Sequence, residues 1–429
     1  MRRYLALGLV PLGLFAVAKI FPATGGYSLA AVAPAIAPPP ENGPVLRVTG
    51  ASVTVRATAS RNGQALGVLH TGARITRGEK PVGTDGCPEG WYAVRPSGAI
   101  CAGDGVALDE SRAVLPSVNL APNKDAALPY AYVKTTAKTQ MFLPGPVAGQ
   151  RVADVPVGTW LAVAGQGQAI DPTGKAAKVV FTPQGQAISS YDVEPVRETA
   201  MKGTLVDDPK SMPIGYIVRD NVTPYRLADA KGPTPLMPIA KHTRLALTNK
   251  SHKRGSERFL GLEDGNYIRA RDVTLIQKRE TFPAFATEGV KWLDISVVTG
   301  TLVAYEGKKP VFATVVSLGS EKAKGTRPTQ LGTFQVIGKQ FTVPDVQPGA
   351  FDESRDVRDI PWVIELSSGQ KIHAAIWHER FGLEFGPGNI QLAASDAAFL
   401  FKWVGGTIPE GWHGALFPEA ERKVQVIVR

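Results

Sequence analysis

The chain has 429 residues with a formal net charge of +10, room for roughly two to four domains. Charged residues make up only 20%, Gly (45) and Pro (34) are abundant, and 44% hydrophobic content is ample for packed cores. No run of like charges stands out and no nucleic-acid signature is visible, so the excess reads as an evenly basic surface rather than a nucleic-acid footprint.

The N-terminus has the form of an export signal. Arg2 and Arg3 precede an apolar stretch from Leu5 to Ala18, which Lys19 ends. The stretch is short for a membrane span. Residues 1–30 are therefore expected to be a signal peptide, with an uncleaved anchor as the alternative and the only expected membrane contact. The Pro/Ala-rich residues 31–44 read as an extended tether. The destination is an exported one, periplasm or cell envelope. In such a compartment Cys87 and Cys101, the only two cysteines, are expected to form a disulfide.

Residues 45–110 alternate apolar and polar side chains and turn at Asn62-Gly63. Val53 and Val55 should face one side, Thr54 and Arg56 the other. Gly90-Trp91-Tyr92-Ala93-Val94 is an aromatic strand, in which Trp91 and Tyr92 are either a ligand platform or barrel core. After a Pro/Asn/Ala-rich linker at 111–129, the β-pattern returns twice. Ile100-x-x-x-Asp104, Ile188-x-x-x-Asp192 and Ile268-x-x-x-Asp272 each close a β-rich block. The expected modules are 130–200 and 205–280. The densest basic patch, Lys250 to Arg258, reads as a hairpin loop.

From residue 288 onwards, strand runs at Trp292–Val298, Thr301–Tyr305 and Val311–Leu318 are separated by turns and form a meander. Thr329-Gln330-Leu331-Gly332-Thr333-Phe334 and Ile360-Pro361-Trp362-Val363 follow. Then comes HAAIWHERFGLEFGPGNIQLAASDAAFLFKW, residues 373 to 403. Ser395 is the expected N-cap of a helix from Asp396 to Trp403, with Phe399 and Trp403 on one face. His413 reads as a loop residue.

On these motifs, residues 288–429 resemble the L,D-transpeptidase (YkuD-like) catalytic domain. The Val55-Arg56, Leu66-Gly67-x-Leu69 and Gly90-Trp91 features of residues 45–110 resemble bacterial SH3-like wall-binding domains. The fold class implied is mainly β: small SH3-like barrels followed by an L,D-transpeptidase-like β-sandwich with one or two short helices. The resemblance implies that His373 stands at the family's general base, Trp377-His378 at its Trp-His pair and Leu392 at its closing Leu. Gly386, Pro387, Gly388 and Asn389 occupy the Ser-His-Gly-Cys positions.

Acyl transfer through a covalent intermediate needs a thiolate or alkoxide, and the amide of Asn389 supplies neither. No catalytic residue is therefore expected. The candidate ligand groove is His373, Trp377, His378, Gly388, Asn389 and Gln391. No metal-ligand spacing and no cofactor motif is present. The function implied is peptidoglycan binding without catalysis, through stem peptide or glycan, with a second wall enzyme as a further partner. The alternative is an active cross-linking enzyme using a hydroxyl such as Ser367, Ser368 or Ser395.

Overall fold

The structure is a computed structural model that describes residues 36–103, 105–109, 116, 118–228, 232–319, 328–343, 356–385 and 388–429. The expected signal at 1–30, the first residues of the tether, Asp104, Gly386 and Pro387 lie outside the described residues. The fold is mainly β, as expected, with a single α-helix among the described residues.

The first block contains β1 (Val45–Val48), β2 (Ser52–Arg56), β3 (Ala65–His70), β4 (Arg74–Thr76), β5 (Trp91–Ala93), β6 (Ala99–Cys101) and β7 (Val106–Ala107). Alternation in β2 puts Val53 and Val55 in the core and leaves Thr54 and Arg56 half-buried. The Cys87–Cys101 disulfide is formed and packs against Trp91.

The second block runs through β8 (Ala131–Thr135), β9 (Thr139–Leu143), β10 (Gln150–Val155), β11 (Trp160–Val163), β12 (Gly165–Ile170), β13 (Ala176–Phe181), β14 (Ala187–Ser189) and β15 (Val193–Pro195). A short strand, β16 (Thr204–Leu205), leads to the third block. That block has β17 (Ile214–Ile217), β18 (Tyr225–Ala228), β19 (Gly232–Pro235), β20 (Arg244–Leu245), β21 (Leu247–Arg254), β22 (Glu257–Leu262), β23 (Tyr267–Arg269) and β24 (Val273–Ile276).

Sheet order exposes a repeat. The second block pairs its strands as β11-β8-β15 and β10-β9-β14-β13-β12, and the third as β20-β17-β24 and β19-β18-β23-β22-β21. Strand for strand the two orders are identical. The first block follows the same plan with β4-β1-β7 and β3-β2-β6-β5, lacking only a counterpart of β12. Ile188 and Ile268 lie in equivalent strands, each followed by a 3-10 turn, at Ser190–Asp192 and Ala270–Asp272. The basic patch is not a loop. Lys250 to Arg254 and Glu257 to Arg258 belong to strands β21 and β22, joined at Gly255 and Ser256.

The C-terminal region opens with the meander β25 (Lys291–Ser296), β26 (Thr301–Glu306) and β27 (Lys309–Val315). The long β28 (Gly332–Val343) pairs with β29 (Ile360–Leu366), which pairs with β30 (Lys371–Ala374). Strand β31 (Ile390–Leu392) runs parallel to β30. Helix α1 (Ala394–Trp403), β32 (Gly414–Leu416) and β33 (Gln425–Val428) complete the region.

The helix starts before the expected cap. Ala393 is the N-cap residue, with no side-chain cap bond, and Ser395 lies in the first turn. Burial decides this. Ala393 is 1% exposed, and the Asp396 carboxylate accepts bonds from the Gly203 N–H and the Thr314 hydroxyl. Phe399 stacks on Phe312 at 4.3 Å, fixing that face of the helix on β27.

The blocks are joined to the C-terminal region by backbone pairing as well as by packing. Strand β3 pairs with β32, Gly67 opposite Ala415 and Val68 opposite Gly414, and β16 pairs with β27. Gly67 permits the approach, since a Cβ there would lie 2.4 Å from the Gly414 carbonyl oxygen. One hydrophobic cluster runs from Leu46 in β1 to Val428 in β33. From the second block, the Gln184 side-chain amide donates to Asp359 Oδ1 at 2.6 Å, and Trp160 bridges Val357. Within the expected linker, Leu120 and Leu128 are buried, and the Ala127 carbonyl accepts from the Trp362 indole at 2.7 Å.

Candidate functional site

Register assembles the site. Ile372 stands opposite Ile390, and His373 opposite Gln391. In parallel strands, opposed residues share a face and successive residues alternate. Ile372, Ala374, Ile390 and Leu392 are all 0% exposed and turn into the core. Lys371, His373, Asn389 and Gln391 therefore share the other face. They include His373 and Asn389, the positions that the resemblance sets against the family's base and nucleophile.

Asn389 is tied into the backbone. Its Oδ1 accepts the Lys371 N–H at 3.0 Å. The Gln370 side-chain amide donates to the Gly388 carbonyl oxygen. The two contacts extend the β30–β31 pairing by one residue. Because a backbone N–H demands an acceptor, the amide is oriented with its oxygen toward Lys371.

His373 is fully buried. Its Nδ1–H donates to the Ala374 carbonyl at 2.9 Å, so Nε2 carries the lone pair. Among the described residues nothing hydrogen-bonds to that Nε2. Burial depresses its pKa to about 4, which keeps the ring neutral near pH 7.

His378 has a different role. Its Nδ1 accepts the Arg380 N–H at 3.0 Å, so Nε2–H is the donor to Gln391 Oε1, at 2.7 Å. Gln391 in turn donates to the Phe385 carbonyl at 3.3 Å and pairs its backbone with Ser317. This amide holds the 378–385 segment against the end of β27. Its fixed bonds leave it positioning a loop rather than facing open solvent; Gln391 is 0% exposed.

The Trp377 ring is tilted 31° to the His373 ring, 5.9 Å away. Trp377, His378 and Glu379 form one wall of a pocket of about 280 Å³. Lys134, Trp160 and Glu194 of the second block form another wall. Its lining carries acidic groups, Glu194 and Glu379, basic groups, Lys134 and Arg197, and the two indoles.

The hydroxyls nearest in sequence are engaged elsewhere. Ser367 Oγ accepts the Gln335 N–H at 3.0 Å, Ser368 Oγ donates to Gln370 Oε1 at 3.3 Å, and Ser395 Oγ donates to Asp396 Oδ1 at 3.4 Å.

Trp91 and Tyr92 are remote from these residues in the sheet, six strands separating β5 from β30. Trp91 is 2% exposed and donates its indole N–H to the Asp85 carbonyl at 2.7 Å, so it is core rather than a platform. Tyr92 is half-buried, with the Arg77 guanidinium 5.2 Å from its ring centroid.

Sequence reasoning missed a second concavity. A cleft of about 1110 Å³ separates the first block from the C-terminal region, with His70, Arg74, Trp412 and His413 among its lining residues. His413 lies in a loop, as expected, but is buried, 3% exposed. Its ring is matched to a residue near the other end of the chain, and no local pattern signals that. Among the described residues there is no cluster of three or more groups able to hold a metal ion. No helix among them is long and apolar enough to cross a membrane.

Comparison with known proteins adds a family match for the C-terminal region. Residues 290–426 match the YkuD family model, the L,D-transpeptidase catalytic domain. No curated protein matches the chain. Among solved structures, an L,D-transpeptidase from Stackebrandtia nassauensis is 19% identical, over 35% of this chain and 61% of that one, with a TM-score of 0.23. One from Xylanimonas cellulosilytica is 16% identical, over 35% of this chain and 65% of that one, at 0.24. One from Mycobacterium tuberculosis is 12% identical, over 69% of this chain and 99% of that one, at 0.24. The match thus spans less than two thirds of the length of the first two.

Proposed function

We propose that this is an exported, wall-associated protein whose L,D-transpeptidase-like domain binds peptidoglycan without catalysis. The observation that carries the reading is Asn389. It stands at the family's nucleophile position, and its Oδ1 is hydrogen-bonded to the Lys371 backbone. A carboxamide has no ionisable proton for His373 to remove, and loss of a nucleophile removes nearly all of the chemistry it supports. The pocket beside Trp377 and His378 is the stem-peptide site in this reading. The three topologically alike blocks act as SH3-like wall-binding modules, and a second wall enzyme is a further partner.

The test is co-sedimentation of the purified protein with isolated sacculi, beside a turnover assay on a tetrapeptide-stem muropeptide, with Asn389→Cys in parallel. Binding without turnover is the expected result. Turnover by the natural sequence would overturn the reading and favour catalysis by a displaced hydroxyl.

A further inference from the structure

We infer that the β21–β22 hairpin of the third block is a docking surface for a linear acidic polysaccharide. Every residue from Asn249 to Ser256 is exposed, so both faces of the end of β21 are in solvent and the hairpin projects from its block. It carries Lys250, Lys253, Arg254 and Arg258, none with an acidic partner among the described residues. The acid at the turn, Glu257, is taken by Arg269 and Arg271, at 2.9 Å each.

Lys253 stands directly opposite Arg258 across the two strands. Like charges in that position destabilise a strand pair, so folding alone gives no reason for them. Strand β21 is the edge of its sheet, and cations do protect edges from pairing with other chains. The repeat supplies a control for that explanation. The equivalent edge strand of the second block, β12, has the sequence GQGQAI, with no charge, and its hairpin sets Ala169 against Ala177. The topology therefore does not require cations at this edge.

The exposed segment has no large apolar side chain to insert into lipid, which favours a soluble polymer over a membrane surface. A row of Lys and Arg without acidic partners among the described residues, on a projecting ribbon, complements the regularly spaced carboxylates of an acidic polysaccharide. This inference is independent of the transpeptidase-like site and stands or falls separately.

The test measures binding of the full chain to polygalacturonate at about 50 and about 200 mM salt, concentrations between which screening of exposed charges rises steeply. Neutral dextran and phosphatidylglycerol vesicles serve as comparisons. The expected result is salt-weakened binding to polygalacturonate and none to dextran. The Lys253→Gln/Arg254→Gln/Arg258→Gln variant should lose about tenfold in affinity or more at low salt. Lys175→Gln/Lys178→Gln, on the second block's hairpin, should bind as the natural protein does. All three substituted side chains in the first variant are exposed and the change relieves the like-charge pair, so its melting temperature should not fall; Lys250→Gln/Lys253→Gln provides a milder replacement if it does. Absence of polygalacturonate binding, equal binding by the substituted hairpin, or binding to vesicles alone would overturn the inference.

Discussion

The imidazoles of His70 and His413 stack face to face, 3.5 Å between centroids and 13° from parallel. The contact joins the end of β3 to the residue preceding β32, beside the strand pairing that unites the first block with the C-terminal region. The Thr342 N–H donates to His413 Nε2 at 3.1 Å, and Tyr130 and Phe341 pack around the pair. Burial holds the His70 pKa at about 4 and the His413 pKa well below the usual imidazole value, with His70 adding to the latter. Both rings are neutral, and a charge on one would be desolvated against the other.

The sign of the resulting pH dependence follows from these depressed values. A group whose folded pKa lies below its unfolded one stabilises the fold fully above the unfolded value, near 6.5. That stability is lost as pH falls toward the folded value. The His70 contribution should disappear between about pH 6.5 and about pH 4, and amounts to at most about 3 kcal/mol. Denaturant unfolding of the natural protein and of His70→Phe across this range measures it. The variant should show the smaller acid loss, and equal losses would show that the stacked pair is not its source.

Asp396 titrates with the opposite sign. Burial raises its pKa to about 6. Its favourable contribution is complete below about pH 3.8 and lost as pH rises through 6. Asp396→Asn keeps an acceptor for the Gly203 N–H and presents a donor to the Thr314 hydroxyl, which retains the Val315 carbonyl as its own acceptor. The difference in unfolding free energy between variant and natural protein should shift by about 2–3 kcal/mol in the variant's favour from pH 4 to pH 8. A constant difference would refute the assignment.

Gly67 is the close contact on which the β3–β32 pairing depends. A Cβ there would meet the Trp412 ring and the Gly414 carbonyl oxygen, both at 2.4 Å. Gly67→Val should separate the strands and increase hydrogen exchange at the His413 amide, whose N–H is bonded to the Val68 carbonyl at 2.7 Å. A cost of about 3 kcal/mol is expected for overpacking at a buried joint. Retained protection at that amide would mean that the joint tolerates the side chain.

Asn389→Ala should destabilise by about 1 kcal/mol, the usual cost of one lost hydrogen bond to a backbone group that water can still reach. Sacculus binding through other residues of the groove would survive. A loss of several kcal/mol in chemical denaturation would mean that Asn389 contributes more than the single bond to Lys371.

Local pattern made much of the fold legible. The meander of β25, β26 and β27 follows from period-two alternation interrupted by Thr299-Gly300 and Glu306 to Lys309. The pairing of Cys87 with Cys101 was expected from an even cysteine count in a chain read as exported. The Ile-x-x-x-Asp signature marked equivalent strands in the second and third blocks, because both the strand and the 3-10 turn after it are local. The joints were not legible. Gly67 and Gly414 carry no side-chain pattern, and Ser395, a good cap by propensity, was overridden by burial of Ala393 and Asp396.

Of the candidate residues, the neighbouring-strand placement of His373 and Gln391 was legible, and their contacts were not. Frame alone brings His373, Asn389 and Gln391 to neighbouring strands. That Gln391 orders His378, and that Asn389 reaches the Lys371 backbone, depends on contacts between strands rather than on residue identity. Trp91 was ambiguous in sequence for the same reason, since an aromatic strand residue serves equally well as core or as platform until its neighbours are known.

Strand β3 is made well before its partner β32, with the second and third blocks and most of the C-terminal region between them. Until Gly414–Leu416 has emerged, the outer edge of β3 has no native neighbour. The first block therefore stays incomplete until β32 is made, and the growing chain carries an open strand edge until then, a natural point for a chaperone to engage or for two growing chains to pair by mistake.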